Sequence, residues 1–567
     1  MNLRFSRRIY EYHMSGEMIE KRSRIGEIIY VIYFTVMMAA RAIGMYEGMK
    51  AYSIVFVFAM LLFVCKMVIT PHTLREYTVA AVLMGVAVIV YFHTGEAGLI
   101  VCFATLLGMK NVDHIKVLSC GAVAAAVCIF GRIVTGVFGL MPEKYWPQIR
   151  SGTGLMFRHA LGYAHPNTLH MNVLMLSMLA IYLVTYKLKR DAGSDSEKPD
   201  LYRIVYLFIA SLIVFLFNLY VFQYSGSRTG LLATSVYLIV NLWFYIRRTP
   251  GLFERIVCYA SFPFVCFLAI VLPHIIPDSL FEFVDRTLFT TRYSIARYFW
   301  SNNPLSLWGI RLANPEEGYR TYGLDMAQLY LFLQLGLVAF TVISVITMVF
   351  IHRELKTAHM AELAVLMGVL FAGIWEPFLY NLGFKNFVYV FMGVALYEMM
   401  AEWQTARVGS TEGARTGEGF YSDDRAVPDG ADEVGCCRRD IYTKTGLAKL
   451  LLSLLLGVAV GCIASSAYVL VTDPPHALYA DREQDEAGES FGMEPMYLTA
   501  DEAADLKSAG ELIVGYQDES TPMYMYDESI AIMEYHKRVL SVGVWCGMIF
   551  ECGLMIISLR RFLPCRK

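Results

Sequence analysis

Apolar residues in this chain come in long uninterrupted runs, broken by short polar stretches. A bilayer core of about 30 Å takes roughly 20 apolar residues per helix, fewer where protein supports it. On that rule, spans fall near 25–45, 51–70, 77–93, 97–110, 115–138, 168–186, 204–223, 229–246, 256–273, 326–351, 361–379 and 385–401, with two more near 447–471 and 539–559. The expected fold is all-α: a polytopic membrane bundle of about twelve core spans with a two-span C-terminal appendage. The polar stretches divide it into an N-terminal segment (1–24), a core (25–401) holding a large loop (274–325), a Gly/Ser/Thr-rich linker (402–446), and two helices flanking an acidic segment (447–567).

Composition supports the membrane reading. The 567 residues are 56% hydrophobic and 17% charged, with a mean hydropathy of +0.48, whereas soluble domains carry about 25% charged residues. The net charge of −2 hides an asymmetry. Residues 473–534 hold 16 Asp/Glu against Arg482 and Lys507, which leaves a basic surplus of 12 elsewhere. Nucleic-acid binding is not needed to explain that surplus, because membrane proteins collect Lys and Arg on the cytoplasmic side. Arg4, Arg7, Arg8, Lys21, Arg22 and Arg24 put the N-terminus inside, and span counting then puts Lys187, Lys189, Arg190, Arg247, Arg248, Arg255, Arg353, Lys356, Arg560, Arg561 and Lys567 there too. Both termini are therefore expected in the cytoplasm. The 12 cysteines fall in spans or inner stretches, which argues against a disulfide framework or a zinc site.

Four polar stretches are expected on the outer side. Arg158-His159-Ala160-Leu161-Gly162-Tyr163-Ala164-His165-Pro166-Asn167 runs into the sixth span, with Pro166 suited to a first helical turn. His165 there is either an interfacial helix-entry histidine or a functional imidazole. Ser225-Gly226-Ser227-Arg228-Thr229-Gly230 is either a tight turn with a snorkelling arginine or a phosphate cradle at a helix start. The loop 274–325 carries Arg286, Arg292, Arg297, Arg311 and Arg320 but no lysine, interleaved with aromatics that include Trp300 and Trp308. Arginine is preferred where planar, bidentate phosphate contact matters. The spacing of Arg292, Ala296, Phe299 and Trp300 is helical, so a membrane-surface helix with Arg297, Arg311 and Arg320 facing headgroups is the alternative. Asp325 closes the loop, where a helix cap is the simple explanation. In the fourth stretch, Trp375-Glu376-Pro377 to Lys385-Asn386, a carboxylate ends an apolar helix; it is either paired with Lys385 or a nearby arginine, or functional.

The motifs Leu161-Gly162-Tyr163-Ala164-His165-Pro166-Asn167, Ser227-Arg228-Thr229-Gly230, and Glu376-Pro377 with Asn381 and Phe384-Lys385-Asn386 resemble, in order and spacing, the Gram-positive branch of the O-antigen polymerase/ligase family. The resemblance covers roughly residues 25–400. It departs where many relatives have Asp-Asn, since Met326 follows Asp325. It implies a GT-C-like membrane glycosyltransferase in a bacterial plasma membrane. Donor and acceptor would be polyprenyl-diphosphate-linked glycans, and partners a chain-length regulator or flippase.

Diphosphate is a leaving group that needs charge stabilisation, which arginine supplies at any working pH. The acceptor hydroxyl benefits from a base. Arg158, Arg228 and Arg292 are accordingly assigned to diphosphate, and His165 to the acceptor as base or orienting group, with Glu376 and Asp325 as substitutes. Asn167, Ser227, Thr229, Trp300 and Lys385 are assigned to substrate contact. No cofactor is implied, and no metal-ligand spacing occurs. A ligase of the same family, a lipid-linked glycan flippase and a non-catalytic assembly scaffold are the rival readings.

Overall fold

The structure is a computed structural model. It describes residues 16–560 except 47, 142–144, 151–153, 192–199, 314, 316–322, 378–379, 381–386, 410–443, 473–476, 485–489, 499–504, 506–507 and 509–527. Ten helices among these are long and apolar enough to cross a membrane. The chain is therefore a multi-pass, predominantly helical membrane protein.

The helices are α1 (Gly16–Ala42), α2 (Lys50–Ile69), α3 (Leu74–Thr94), α4 (Gly98–Leu107), α5 (His114–Val137), α6 (Pro166–Arg190), α7 (Leu201–Ser225), α8 (Arg228–Arg247), α9 (Leu252–Cys266), α10 (Asp278–Val284), α11 (Arg292–Asn302), α12 (Leu337–Thr357), α13 (Met360–Ala372), α14 (Val388–Gly409), α15 (Lys444–Val471) and α16 (Glu528–Arg560). Several expected spans are not simple crossing helices. α4 has 10 residues and α13 has 13, about 15 and 20 Å at the α-helical rise. The expected span 326–351 is broken: a turn at Ala327–Leu329 and a π-helical turn at Tyr330–Gln334 precede Gly336, whose φ of 91° stops the helix before α12. Adding a Cβ at Gly336 would place it 2.2 Å from the Gly309 nitrogen, so the loop crosses here at a distance only glycine allows.

Among the described residues four strands interrupt the expected all-α pattern: β1 (Tyr145–Arg150), β2 (Gly154–His159), β3 (Ala477–Gln484) and β4 (Ser490–Leu498). They form one antiparallel sheet in the order β2-β1-β4-β3. β1 meets β4 at Tyr145 and Met493, and β2 at Tyr145–His159 and Trp146–Arg158. These strands lie between apolar runs, where polar backbone has no lipid to avoid and can pair across segments distant in sequence.

By contact the chain groups into two compact units. The first contains Met1–Ile129, Met171–Pro199 and Thr229–Arg425. Its core joins α6, α8 and α13: Tyr237 Oη donates to the Met178 carbonyl at 3.0 Å, Asn241 Nδ2 to Thr185 Oγ1 at 2.9 Å, and Tyr182 Oη to Glu362 at 2.8 Å. The second contains Phe130–His170, Asp200–Arg228 and Ala426–Lys567. It gathers the sheet, α7 and the α15–α16 pair. In that pair, Gly461 and Gly543 approach backbone to backbone: a Cβ on Gly461 would lie 2.6 Å from the Gly543 carbonyl oxygen. Small residues allow such close helix contact in membranes.

Candidate functional site

In the second unit, the motif from Arg158 to Asn167 folds as the end of β2, a turn and the start of α6. Leu161 (φ 47°) and Gly162 (φ 80°) are both left-handed. For a buried leucine that conformation is strained, by about 1–3 kcal/mol. The turn is clamped by α5, where a Cβ on Gly136 would fall 2.9 Å from the Leu161 Cα, and the Arg132 guanidinium lies beside Gly162. The second motif is built as a stop and a start. α7 ends at left-handed Gly226, whose N–H donates to the Phe222 carbonyl at 2.8 Å, and α8 begins at Arg228.

The turn from Ser225 to Ser227 and the 158–170 segment are joined through Ser225. Arg158 Nε donates to its carbonyl oxygen at 2.7 Å, and Arg158 Nη2 donates to Asn167 Oδ1 at 2.5 Å. The Ser225 hydroxyl accepts from the Ser227 N–H at 3.2 Å and stands 3.0 Å from His170 Nδ1. These two bonds, to a carbonyl and to an amide, orient the Arg158 guanidinium. Arg228, three residues after Ser225, is exposed, and among the described residues it has no hydrogen-bond or ion-pair partner. Arg158 and Ser227 are buried, Asn167 and Thr229 half-buried.

His165 sits at the N-cap of α6, and its Nδ1 accepts the backbone N–H of Asn167 at 3.1 Å. A backbone N–H can only donate, so Nδ1 carries the lone pair and the neutral ring carries its proton on Nε2. In this arrangement His165 is a helix cap, with Trp146 packed edge-on at 4.8 Å between ring centroids. A general base acting through Nε2 would need its lone pair there, which this tautomer places on Nδ1.

Arg292, Asp325 and Glu376 come together in the first unit. Two left-handed threonines, Thr290 and Thr291, lead into α11, and Asp285 caps it from below: its carboxylate accepts the Tyr293 N–H at 2.8 Å and the Ser294 N–H at 3.3 Å, and also meets the Ser294 hydroxyl. Arg292 opens the helix. Its Nε donates to the Trp375 carbonyl at 2.6 Å, and its Nη2 lies 3.4 Å from Glu376 and 3.6 Å from Asp325. The ion-pair alternative for Glu376 is therefore the observed one, made with Arg292. A guanidinium already neutralised by two carboxylates is poorly placed to take a diphosphate as well. Arg292 accordingly fits a role in positioning Glu376 better than the phosphate contact expected of it.

Trp300 stacks on Phe332, with centroids 5.7 Å apart and rings nearly parallel at 3°, and also packs on His274 at 4.7 Å. One face is thereby occupied by protein. Arg297 is half-buried: its Nε donates to the Pro273 carbonyl at 2.6 Å, its Nη1 lies 3.3 Å from Asp278, and its guanidinium covers the Phe281 ring. Lys385 and Arg320 lie outside the described residues. Among those described, no three His, Cys, Asp or Glu side chains are grouped to hold a metal ion.

Several residues in the second unit were not anticipated from the sequence. His170 follows Asn167 by one helical turn, a spacing that could have put it on the same face. His159 stands next to Arg158, and its Nε2 lies 2.6 Å from a Glu534 carboxylate oxygen. Glu534 was hidden among the 16 acids of segment 473–534, with nothing in its neighbours to distinguish it. Glu96 in the first unit, which accepts from Tyr330 Oη and Gln334 Nε2, each at 2.8 Å, also carried no sequence signal.

No family model, curated protein or solved structure matches this chain.

Proposed function

We propose that the protein is a membrane glycosyltransferase that extends a glycan carried on a polyprenyl diphosphate, working on the outer face of a bacterial plasma membrane. In this reading the fold is GT-C-like, with about twelve core spans and a two-span appendage, and both termini are cytoplasmic. One observation carries the reading: Arg158, bonded to the Ser225 carbonyl and to Asn167, belongs to the same turn assembly as Arg228, which is exposed and among the described residues has no hydrogen-bond or ion-pair partner. Two guanidinium groups on one turn assembly suit a diphosphate. Ser227 and Asn167 belong to that turn assembly, Thr229 follows Arg228 in the chain, and in this reading all three contact substrate. His165 directs its Nε2–H to the acceptor sugar, and Glu376 and Asp325 are held by Arg292.

In the reaction, an acceptor hydroxyl oxygen forms the new bond to the anomeric carbon. The bond from that carbon to the diphosphate oxygen breaks, the electron pair leaves with the diphosphate, and the hydroxyl proton passes to the released diphosphate. Arg158 and Arg228 stabilise the charge that grows on the leaving group.

The test is chain growth. Purified protein is incubated with a lipid-diphosphate oligosaccharide, without nucleotide sugar and with a chelator present, and products are resolved for a ladder. Arg228→Lys keeps the charge but removes the fork, and should lower growth by at least about tenfold. Absence of growth in the wild type, together with movement of the lipid-linked glycan across vesicles, would transfer the assignment to a flippase. Growth onto a non-lipid acceptor alone would transfer it to a ligase.

A further inference from the structure

The described part of α16 makes buried contacts with the residues on either side of the Arg158–Ser225 hydrogen bond. Glu534 meets His159, the neighbour of Arg158, at 2.6 Å. Tyr224, the neighbour of Ser225, donates from its Oη to the Lys537 carbonyl at 3.0 Å and also meets the Ser541 hydroxyl. The same tyrosine ring stands edge-on to the His159 ring at 5.2 Å. Lys537 Nζ donates to Glu534 at 2.6 Å and lies 6.0 Å from the centre of the Tyr224 ring. Farther along, Ser541 joins Tyr220 at 2.9 Å, and Trp545 Nε1 donates to Tyr220 Oη at 3.1 Å. His159, Glu534 and Lys537 are all buried.

A charge removed from water is stable only when paired, and removing one member leaves the other stranded. Such an arrangement fixes geometry more than it adds stability. Here the geometry fixed is that of two adjacent residue pairs, 158–159 and 224–225. We propose that Glu534 is a positioning residue for the Arg158 site: by holding His159 against Tyr224, it keeps the Arg158 guanidinium on Ser225 and Asn167. The helix that follows the acidic segment is thus a working part of the site. The inference builds on the functional reading above for its kinetic consequence, but not for its structural one.

Two measurements on the full-length protein separate these. Amide hydrogen exchange compares the wild type with Glu534→Gln and, should that variant fail to fold, Glu534→Asp. Faster exchange in peptides covering 154–170, with peptides covering 292–302 unchanged, is expected. Unchanged exchange at 154–170 overturns the proposal whatever the protein's activity. In the chain-growth assay, Glu534→Gln should raise the donor KM by about tenfold, the size of one charge-assisted hydrogen bond. Exchanging the pair, His159→Glu with Glu534→His, should restore part of it. Tyr220→Phe, which loosens the same helix farther along, serves as the control and should leave the donor KM unaltered. A donor KM in Glu534→Gln within twofold of an active wild type overturns the proposal and leaves the function standing. An inactive wild type overturns the function, and the exchange result still decides the positioning role.

Discussion

Arg292 and Glu376 lie 3.4 Å apart with both side chains nearly excluded from solvent. Their pairing decides what either can do. Arg292→Met would take the guanidinium away from buried Glu376 and from the more exposed Asp325. Breaking a buried pair from one side costs about 3–5 kcal/mol. We expect a correspondingly lower thermal midpoint in detergent for Arg292→Met, and a smaller loss for the double variant Arg292→Met/Glu376→Met. Equal losses in both would show that the pair is not coupled.

Asn167→Asp separates geometry from charge at Arg158. The aspartate should hold the guanidinium at least as firmly, since charge-assisted bonds are the stronger ones, while adding a negative charge beside it. The melting temperature should hold or rise, and donor affinity, measured as KM or by titration with a polyprenyl diphosphate, should fall by about tenfold or more. Unaltered donor affinity would remove Arg158 from diphosphate binding.

His165→Ser distinguishes a cap from a functional imidazole. Serine caps helices well, so stability should change by less than about 1 kcal/mol. If Nε2–H serves the acceptor, chain growth falls while donor binding is kept. Full activity in His165→Ser would confine the residue to capping α6.

His359, between α12 and α13, hydrogen-bonds Glu354 at 2.8 Å, and that contact raises its pKa above the ordinary imidazole range against the opposing effect of burial. The folded value lies above the unfolded one, so the contribution to stability is complete below the unfolded value of about 6.5 and is lost as pH rises through the folded value. The melting difference between wild type and His359→Gln should shrink on moving from about pH 6 to about pH 9. A difference that grows with pH would contradict the assignment.

Gly543→Leu tests the helix pair α15–α16. A Cβ there would stand 2.3 Å from the Ser465 hydroxyl oxygen and 3.0 Å from the Gly461 carbonyl oxygen. Overpacking of this kind costs about 1–3 kcal/mol, read as a lower melting midpoint; an unaffected midpoint would mean that the pair can separate freely.

Much of the bundle was legible because lipid imposes one rule on every span, and long apolar runs obey it visibly. α2, α3, α5 and α7 can be read directly from their runs. The rule weakens where protein replaces lipid around a helix. α4 is almost wholly buried and stops after 10 residues, and the run 326–351 conceals a break that only the backbone at Gly336 reveals. The sheet was hidden for a different reason: β1 and β4 pair across more than 300 residues of chain, and local pattern says nothing about such a partner. At the site, the motif residues mark two clusters, but residue types could not show which acceptors were charged. Nor could they show that Arg158 bonds the Ser225 carbonyl and Asn167, or that Arg292 lies between two carboxylates. The tautomer of His165 likewise depends on one backbone N–H.

The bond from Tyr224 to the Lys537 carbonyl closes a loop of 313 residues. During synthesis α7 enters the membrane long before its partner exists, so the Ser225 turn must wait, unsupported on that side, until α16 arrives. Ribosomal products that stop short of α16 would carry every motif of the core and still lack its brace. A nonsense or frameshift change far downstream should therefore be as silencing as one at Arg158 itself.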